Sequence, residues 1–132
     1  MGLGRVLVVD DEADLRKSTR LILTKAGYDV VEAEDGEKAI QAIRSGDNPL
    51  LLDTILCDLV MPKVNGMEAI AFFRQQFPRV PIIVLTGHPN VEGAADLFKK
   101  GNVVDYLVKP IVPAKLIASV EKAVKERELF ER

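Results

Sequence analysis

Acidic residues that could hold a metal ion follow two short apolar runs of the sequence. Asp10, Asp11 and Glu12 come directly after "RVLVV", and Asp58 ends "DTILCD". A carboxylate at the end of a buried strand ionises with difficulty unless a cation or hydrogen-bond donors offset its charge. All-oxygen ligands suit a hard divalent ion, and Mg²⁺ with a few carboxylates and retained waters is the natural candidate. The acidic residues therefore predict a magnesium site.

A hydroxyl and an ammonium group follow two further apolar runs. Thr86 ends "VPIIVLT" and Lys109 follows "VVDYLV". Taken singly, an acid at a strand end is most often a solvated loop residue. A threonine at such a position is most often a turn residue, and a lysine there is most often a surface charge. Their occurrence together, at the ends of four apolar runs, weakens that interpretation. Mg²⁺, an ammonium and a hydroxyl beside one carboxylate are equipped to stabilise a phosphoryl group.

The apolar runs alternate with segments of helical periodicity along the chain. The runs predict five strands, at residues 5–10, 28–33, 53–58, 80–87 and 103–108. Apolar residues at helical spacing predict five helices, at residues 15–26, 36–46, 67–77, 91–98 and from 113 onward. The predicted fold class is α/β: a flavodoxin-like, doubly wound, five-stranded parallel sheet of order 2-1-3-4-5. Such sheets bind ligands at the carboxyl ends of their strands, where the polar residues lie.

Length and composition limit the class of protein. A chain of 132 residues with 48% hydrophobic and 29% charged residues is one ordinary globular domain. A formal net charge of −2 gives no indication of a nucleic-acid or membrane surface. The single cysteine, Cys57, excludes an internal disulfide and fits a reducing compartment. No run is long enough for a membrane span and no signal-peptide pattern opens the chain, so we expect a cytoplasmic protein.

Four motifs resemble the receiver domains of bacterial two-component response regulators, the chemotaxis regulators among them. They are "VLVVDDE", "CDLVMPKVNG", "VLTG" and "DYLVKP", and they occur in the family's order. The resemblance runs from about Arg5 to Val124. It implies a receiver domain at residues 1–124, followed at 125–132 by an extension of the last helix or the start of a linker. The segment 45–53, "SGDNPLLLD", is a few residues longer than is usual in the family, which leaves the loop there undefined.

The resemblance also assigns roles around the acidic residues. Asp58 matches the phospho-acceptor, and Asp10 and Asp11 match the acidic pair that holds Mg²⁺. Asp11 would bind the metal directly and Asp10 through a metal-bound water. The Asp58 side chain and the backbone carbonyl of Val60 would complete the protein ligands.

The remaining motif residues match the family's switch and timing positions. Lys109 matches the phosphate-binding lysine, Thr86 the switch hydroxyl and Tyr106 the switch aromatic, and the bond preceding Pro110 is expected to be cis. Two further residues are expected to set the lifetime of the phosphoryl group. Apolar Val60, two after the acceptor, cannot hydrogen-bond an attacking water and argues for slow hydrolysis. His88, two after Thr86, either orients a water or is an exposed loop histidine.

The function implied by the resemblance is a phosphorylation-dependent signalling switch, not an enzyme acting on a separate substrate. A sensor histidine kinase or a phosphotransfer protein would donate the phosphoryl group. Movement of Thr86 and Tyr106 would alter the face formed by the fourth helix, the fifth strand and the last helix. That face would control an unidentified effector or output domain and is a candidate homodimer contact. Neither nucleic acid nor membrane is an expected direct partner.

Two alternatives stay open. One is a pseudo-receiver that acts as an interaction module without phosphorylation, although the intact set of Asp58, Thr86 and Lys109 argues against it. The other is a phosphohydrolase of the haloacid-dehalogenase type, which also uses Mg²⁺ and an aspartyl phosphate on a doubly wound sheet. The D-x-D motif that this class carries after strand one is absent, and the chain has no room for a cap domain.

Overall fold

A computed structural model describes residues 3–59, 66–87 and 103–130 of the chain. In chain order its elements are β1 (Arg5–Val9), α1 (Ala13–Lys25), β2 (Asp29–Ala33), α2 (Gly36–Ile43), α3 (Asn48–Leu51), β3 (Leu52–Asp58), α4 (Gly66–Gln76), β4 (Ile82–Thr86), β5 (Val103–Val108) and α5 (Pro113–Phe130). The third and fifth predicted helices are therefore α4 and α5. The fourth predicted helix, at 91–98, lies outside the described residues.

The strands form one parallel sheet of order β2-β1-β3-β4-β5. This confirms the predicted α/β fold and its doubly wound strand order. All residues of β4 are buried, as are all but the first of β1, which is typical of parallel strands that helices cover on both faces. The strand order reverses between β1 and β3, so the crevice at their carboxyl ends is where such a sheet binds ligands.

Two hydrophobic clusters fill the space on either side of the sheet. Because side chains alternate along a strand, Leu7 and Val9 lie in one cluster while Val6 and Val8 lie in the other. The first cluster packs α2 and α4 against the sheet through Ala39, Ile43, Ala69, Ile70 and Phe73. The second packs α1 and α5 through Leu23, Leu116, Val120 and Ala123. Each fully buried leucine or isoleucine stabilises the folded state by roughly 1.5–3 kcal/mol. Because both faces of the sheet are packed in this way, the strands form a rigid support for the residues at their ends.

The segment before β3 contains the short helix α3, where the sequence had indicated only an undefined loop. Proline stands near the start of this helix, a position that tolerates its missing N–H. The preceding helix, α2, ends at Ile43 and not near Gly46 as predicted. Gly46 lies beyond it with φ of 55°, in the left-handed region that glycine adopts at no steric cost.

Arg5 joins three elements at the amino end of the sheet, opposite the crevice. Its Nε donates to Asp29 at 2.8 Å, and its Nη1 donates to Asp47 at 2.7 Å and to Asn48 at 2.9 Å. The guanidinium therefore ties β1 to β2 and to the start of α3. The hydrogen bond from Arg5 lowers the pKa of the Asp47 carboxyl.

The last helix, α5, continues beyond Val124 to Phe130. Arg127 in this terminal part is 9% exposed, and its Nη1 donates to the backbone carbonyl of Arg79 at 3.2 Å. The end of α5 is thus attached to the turn that precedes β4. Among the residues that the structure describes, no helix combines the length and apolar character needed to cross a membrane.

Candidate functional site

Asp10 lies at the carboxyl end of β1, at the base of the crevice. Its backbone N–H donates to the carbonyl of Ala33 at 3.1 Å, and its own carbonyl accepts from Arg16 Nη1 at 2.7 Å. Its carboxylate is 1% exposed and accepts at Oδ1 from the backbone N–H of Glu12 at 2.9 Å. Burial raises the pKa of Asp10, although that hydrogen bond and Lys109 oppose the shift. The next residues, Asp11 and Glu12, are exposed at the mouth of the crevice.

Asp58 ends β3 beside this carboxylate. The residue is 3% exposed and stands opposite Leu85 in the register between β3 and β4. The preceding Cys57 is fully buried in the first hydrophobic cluster. Burial, followed by the charges of Asp58 and Asp10, raises the pKa of the Cys57 thiol, so this cysteine stays protonated.

Lys109 brings its ammonium into contact with three carboxylates. Its Nζ lies 2.9 Å from Asp58 Oδ2, 3.0 Å from Glu12 Oε1 and 3.1 Å from Asp10 Oδ2. Burial lowers the pKa of Lys109, but its contacts with the carboxylates of Asp58, Glu12 and Asp10 outweigh that effect and hold the pKa above its usual value. The lysine is therefore a permanent positive charge in the crevice. The Lys109–Pro110 peptide bond, expected to be cis, is cis in the structure.

Thr86 and Tyr106 lie on neighbouring strands and face the same side of the sheet. Thr86, fully buried at the end of β4, is paired with Val108, and Tyr106 precedes Val108 by two residues on β5. Residues two apart on a strand share a face. Tyr106 is half-buried and packs against the first hydrophobic cluster, and burial raises the pKa of its phenol.

The acidic residues are arranged closely enough to share one cation. One carboxylate oxygen from each of Asp10, Asp11, Glu12 and Asp58 lies within 4.8 Å of the others. Asp10 Oδ2 is buried and, although near Lys109 Nζ, forms no hydrogen bond among the described residues. A buried carboxylate oxygen that accepts no hydrogen bond and is surrounded by further carboxylates is suited to bind a hard divalent ion that prefers oxygen ligands.

The structure thus brings together five of the residues singled out in the sequence: Asp10, Asp11, Asp58, Thr86 and Lys109 all lie at one edge of the sheet. Val60 and His88 fall outside the described residues.

Two residues that contact the site at the carboxyl edge of the sheet had no role predicted from the sequence. Glu12 was recognised only as a third acid, yet it contacts Lys109 across 97 positions of the chain. The sequence pattern gives Arg16 no role, yet its guanidinium donates to the Asp10 carbonyl at 2.7 Å and to Glu32 Oε1 at 3.2 Å. The signal for Arg16 was its place in the first turns of α1, directly after the acidic run.

The geometry agrees with comparisons to known proteins. The sequence model of the response regulator receiver domain matches residues 6–121. The chain therefore belongs to the response regulator receiver domain family, a class of phosphorylation-dependent signalling domains that act in phosphorelays and are not classical enzymes.

The chain is also similar in sequence to individual response regulators. The chain is 31% identical over 125 residues to the transcriptional regulatory protein FixJ of Bradyrhizobium diazoefficiens, a match that covers 95% of this chain and 58% of that protein. It is 33% identical over 129 residues to the alginate biosynthesis transcriptional regulatory protein AlgB of Pseudomonas aeruginosa, covering 98% of this chain and 28% of that protein. The chain thus spans less than two thirds of the length of FixJ and less than one third of the length of AlgB.

Among solved structures, a response regulator receiver domain protein from Clostridium thermocellum superimposes with a TM-score of 0.88 at 26% identity. That match covers 97% of this chain and 99% of the other. The two chains therefore share the receiver fold over nearly their whole lengths.

Proposed function

We propose that this chain is a signalling switch that accepts a phosphoryl group on the carboxylate of Asp58. The donor is the phosphohistidine of a sensor histidine kinase or of a phosphotransfer protein. The observation that carries the proposal is the contact of 2.9 Å between Asp58 Oδ2 and the ammonium of Lys109, formed beside the carboxylates of Asp10 and Asp11. Such a site offsets the negative charge of both the acceptor and the incoming phosphoryl group.

In the transfer, a carboxylate oxygen of Asp58 forms a bond to phosphorus as the bond from phosphorus to the histidine nitrogen breaks. The electron pair of the broken bond stays on the imidazole. The raised pKa of Lys109 keeps its ammonium protonated, so it donates hydrogen bonds to the phosphoryl oxygens and does not act as a proton source. Thr86, at the end of the adjacent strand, supplies a hydroxyl donor to the same group.

The metal part of the proposal rests on the donor set described above and on the resemblance to receiver domains. Asp11 and Asp58 would hold Mg²⁺ directly, Asp10 would hold it through water, and the carbonyl of Val60 would complete the protein ligands. When bound, the ion supplies positive charge that stabilises the equatorial oxygens of the transferring group. Hydrolysis of the acyl phosphate then returns Asp58 to a carboxylate, with Val60 and His88 as the residues that tune its rate.

The output is a change of conformation that begins at Thr86. Its hydroxyl moves toward the phosphoryl group, and Tyr106, on the same face of the sheet, rotates into the space that is left. This shifts an existing equilibrium and alters the surface around β5 and α5, together with the predicted helix at 91–98. That surface contacts an effector or a second copy of the chain.

The effector of the proposal is either an output domain on a longer chain or a separate protein. Both FixJ and AlgB are transcriptional regulators, and this chain spans only part of each. In this proposal residues 1–124 form the receiver domain, and residues 125–132 are an extension of the last helix, which continues to Phe130, or the start of a linker. A cytoplasmic location belongs to the same proposal, because the chain must meet the phosphohistidine of its donor.

The test uses acetyl phosphate as a small-molecule donor. The wild-type protein is incubated with acetyl phosphate and Mg²⁺, and its intact mass is compared with that of Asp58→Asn. A gain of one phosphoryl group in the wild type that is absent from Asp58→Asn, and absent when EDTA removes the metal, supports the proposal. A gain in both proteins, or in neither, refutes it.

A further inference from the structure

The three carboxylates around Lys109 differ sharply in their exposure. The side chains of Asp10 and Asp58 are 1% and 4% exposed, whereas that of Glu12 is 62% exposed. The two buried carboxylates are held by the strands that carry them. Glu12 reaches Lys109 from the start of α1, with Oε1 at 3.0 Å from Nζ.

The contact between Glu12 and Lys109 does not arise from helix capping by the Glu12 side chain. This residue is the N-cap of α1, with φ of −84° and ψ of 106°, yet its side chain makes no capping hydrogen bond. An N-cap side chain ordinarily accepts from a backbone N–H of the first turn. The carboxylate of Glu12 instead extends to a residue 97 positions away, so its partner is Lys109 and not its own helix.

A phosphoryl group on Asp58 must compete for the same ammonium. Lysine has three N–H donors, and three carboxylates already surround them. Asp58 carries the phosphoryl group and Asp10 is buried, so neither can withdraw. Glu12 is the partner that can leave, because an exposed ion pair on a long side chain is weak and opens readily into solvent.

We propose that Glu12 is a positioning residue that engages Lys109 in the unphosphorylated protein and is displaced from it as the phosphoryl group arrives. The inference rests on the proposed function, since it requires phosphorylation at Asp58. Its consequence is kinetic: breaking the contact between Glu12 and Lys109 is part of the barrier to phosphorylation. Loss of the contact should therefore speed the reaction.

Three variants separate the contact from the charge. Glu12→Gln removes the charge, and Glu12→Asp keeps the charge but shortens the side chain by one methylene, so that it no longer spans the gap to Nζ. Glu34→Gln is the matched control, because Glu34 is an exposed acid after β2 at the same edge of the sheet. This control shows how far the loss of one negative charge from the protein surface changes the rate of reaction with acetyl phosphate, which is itself an anion.

The initial rate of phosphorylation by acetyl phosphate is measured by intact mass, at a Mg²⁺ concentration whose doubling leaves each rate unchanged. We expect Glu12→Gln and Glu12→Asp each to be faster than wild type, by up to about fivefold, as befits one exposed ion pair. Glu34→Gln should stay close to wild type.

The inference is overturned if Glu12→Asp matches wild type while Glu12→Gln is faster, since charge alone would then explain the effect. It is also overturned if neither Glu12 variant exceeds the control. Both results leave the proposed function intact, because the wild type is still phosphorylated. A wild type that gains no phosphoryl group refutes the proposed function itself.

Discussion

The backbone N–H of Lys109 donates a hydrogen bond of 2.8 Å to the backbone carbonyl of Thr86. The residue that offers the ammonium and the residue that offers the hydroxyl are therefore joined through the main chain, at the point where β4 and β5 end together. Since main-chain contacts survive side-chain substitution, either side chain can be changed while the other keeps its place. This makes the proposed roles of Thr86 and Lys109 separable by experiment.

Thr86→Ala should uncouple phosphorylation from the response of Tyr106. Asp58, Lys109 and the acidic residues remain, so the variant should still accept a phosphoryl group, but no hydroxyl moves to clear space for the ring. The chain contains only two tyrosines and no tryptophan. Fluorine NMR of protein labelled with fluorotyrosine therefore gives two signals, and we expect phosphorylation to shift that of Tyr106 in wild type but not in Thr86→Ala.

Tyr28 and a conservative variant provide the controls for this experiment. Tyr28 is 5% exposed and belongs to the hydrophobic cluster on the other face of the sheet, so its signal should stay in place. Thr86→Ser keeps the hydroxyl and should keep the shift. A Tyr106 response of full size in Thr86→Ala would remove Thr86 from the switch.

Mg²⁺ should stabilise the fold through the acidic residues. A ligand that binds only the folded state adds about 2.7 kcal/mol to the free energy of unfolding when present at 100 times its Kd. We expect urea denaturation to show a Mg²⁺-dependent gain for wild type that Asp11→Asn loses largely or completely. Asp11 is exposed, so its substitution leaves the core untouched.

The control for the metal prediction is Glu121→Gln. Glu121 is an exposed acid on α5 outside the acidic group of the crevice, and its variant should gain as much from Mg²⁺ as wild type. An equal gain for Asp11→Asn would show that the ion binds elsewhere.

Val60→Asn should shorten the lifetime of the phosphoryl group. An amide at this position can hydrogen-bond an attacking water, which valine cannot, so we expect the first-order loss of phosphoryl mass to become severalfold faster. Leu21→Asn is the control, because it replaces a half-exposed apolar residue of α1 with the same side chain. Decay of Val60→Asn at the wild-type rate would exclude Val60 as the timing residue.

Arg127→Met should destabilise the domain even though it lies beyond the predicted boundary at Val124. The change removes the donor to the Arg79 carbonyl, at a cost of about 0.5–1.5 kcal/mol in the free energy of unfolding. Lys125→Met, an exposed change in the same turn of α5, should have little effect. Equal stability of the two variants would mean that the contact from Arg127 to Arg79 contributes nothing to the stability of the fold.

The periodicity of the sequence was sufficient to predict the strands, because parallel strands with helices on both faces leave continuous apolar runs such as that of β4. The strand order was predicted from the right-handed crossovers of a doubly wound sheet. The periodicity also placed the polar residues at one edge, since each follows such a run. The helix α3 was missed because four residues are too few to show a period. A proline beside Asp47 and Asn48 was the available signal.

Contacts between distant residues were beyond sequence reasoning for a different reason. The pairing of Glu12 with Lys109 depends on how far the start of α1 stands from the end of β5, and no spacing along the chain encodes that distance. The same holds for Arg5, whose partners Asp29 and Asp47 are ordinary surface acids until the fold brings them together. Residue types predicted the chemistry, while three-dimensional packing decides which charges meet.

The most direct test of the central claim is to locate the phosphoryl group on the chain. Borohydride reduces an aspartyl phosphate to homoserine and leaves a free aspartate unchanged, so the modified residue can be read by tandem mass spectrometry of its peptide. After incubation of wild-type protein with acetyl phosphate and Mg²⁺, we expect homoserine at position 58 and aspartate at positions 10 and 11. Homoserine at another aspartate, or unmodified Asp58 in protein that has gained phosphoryl mass, would contradict the account.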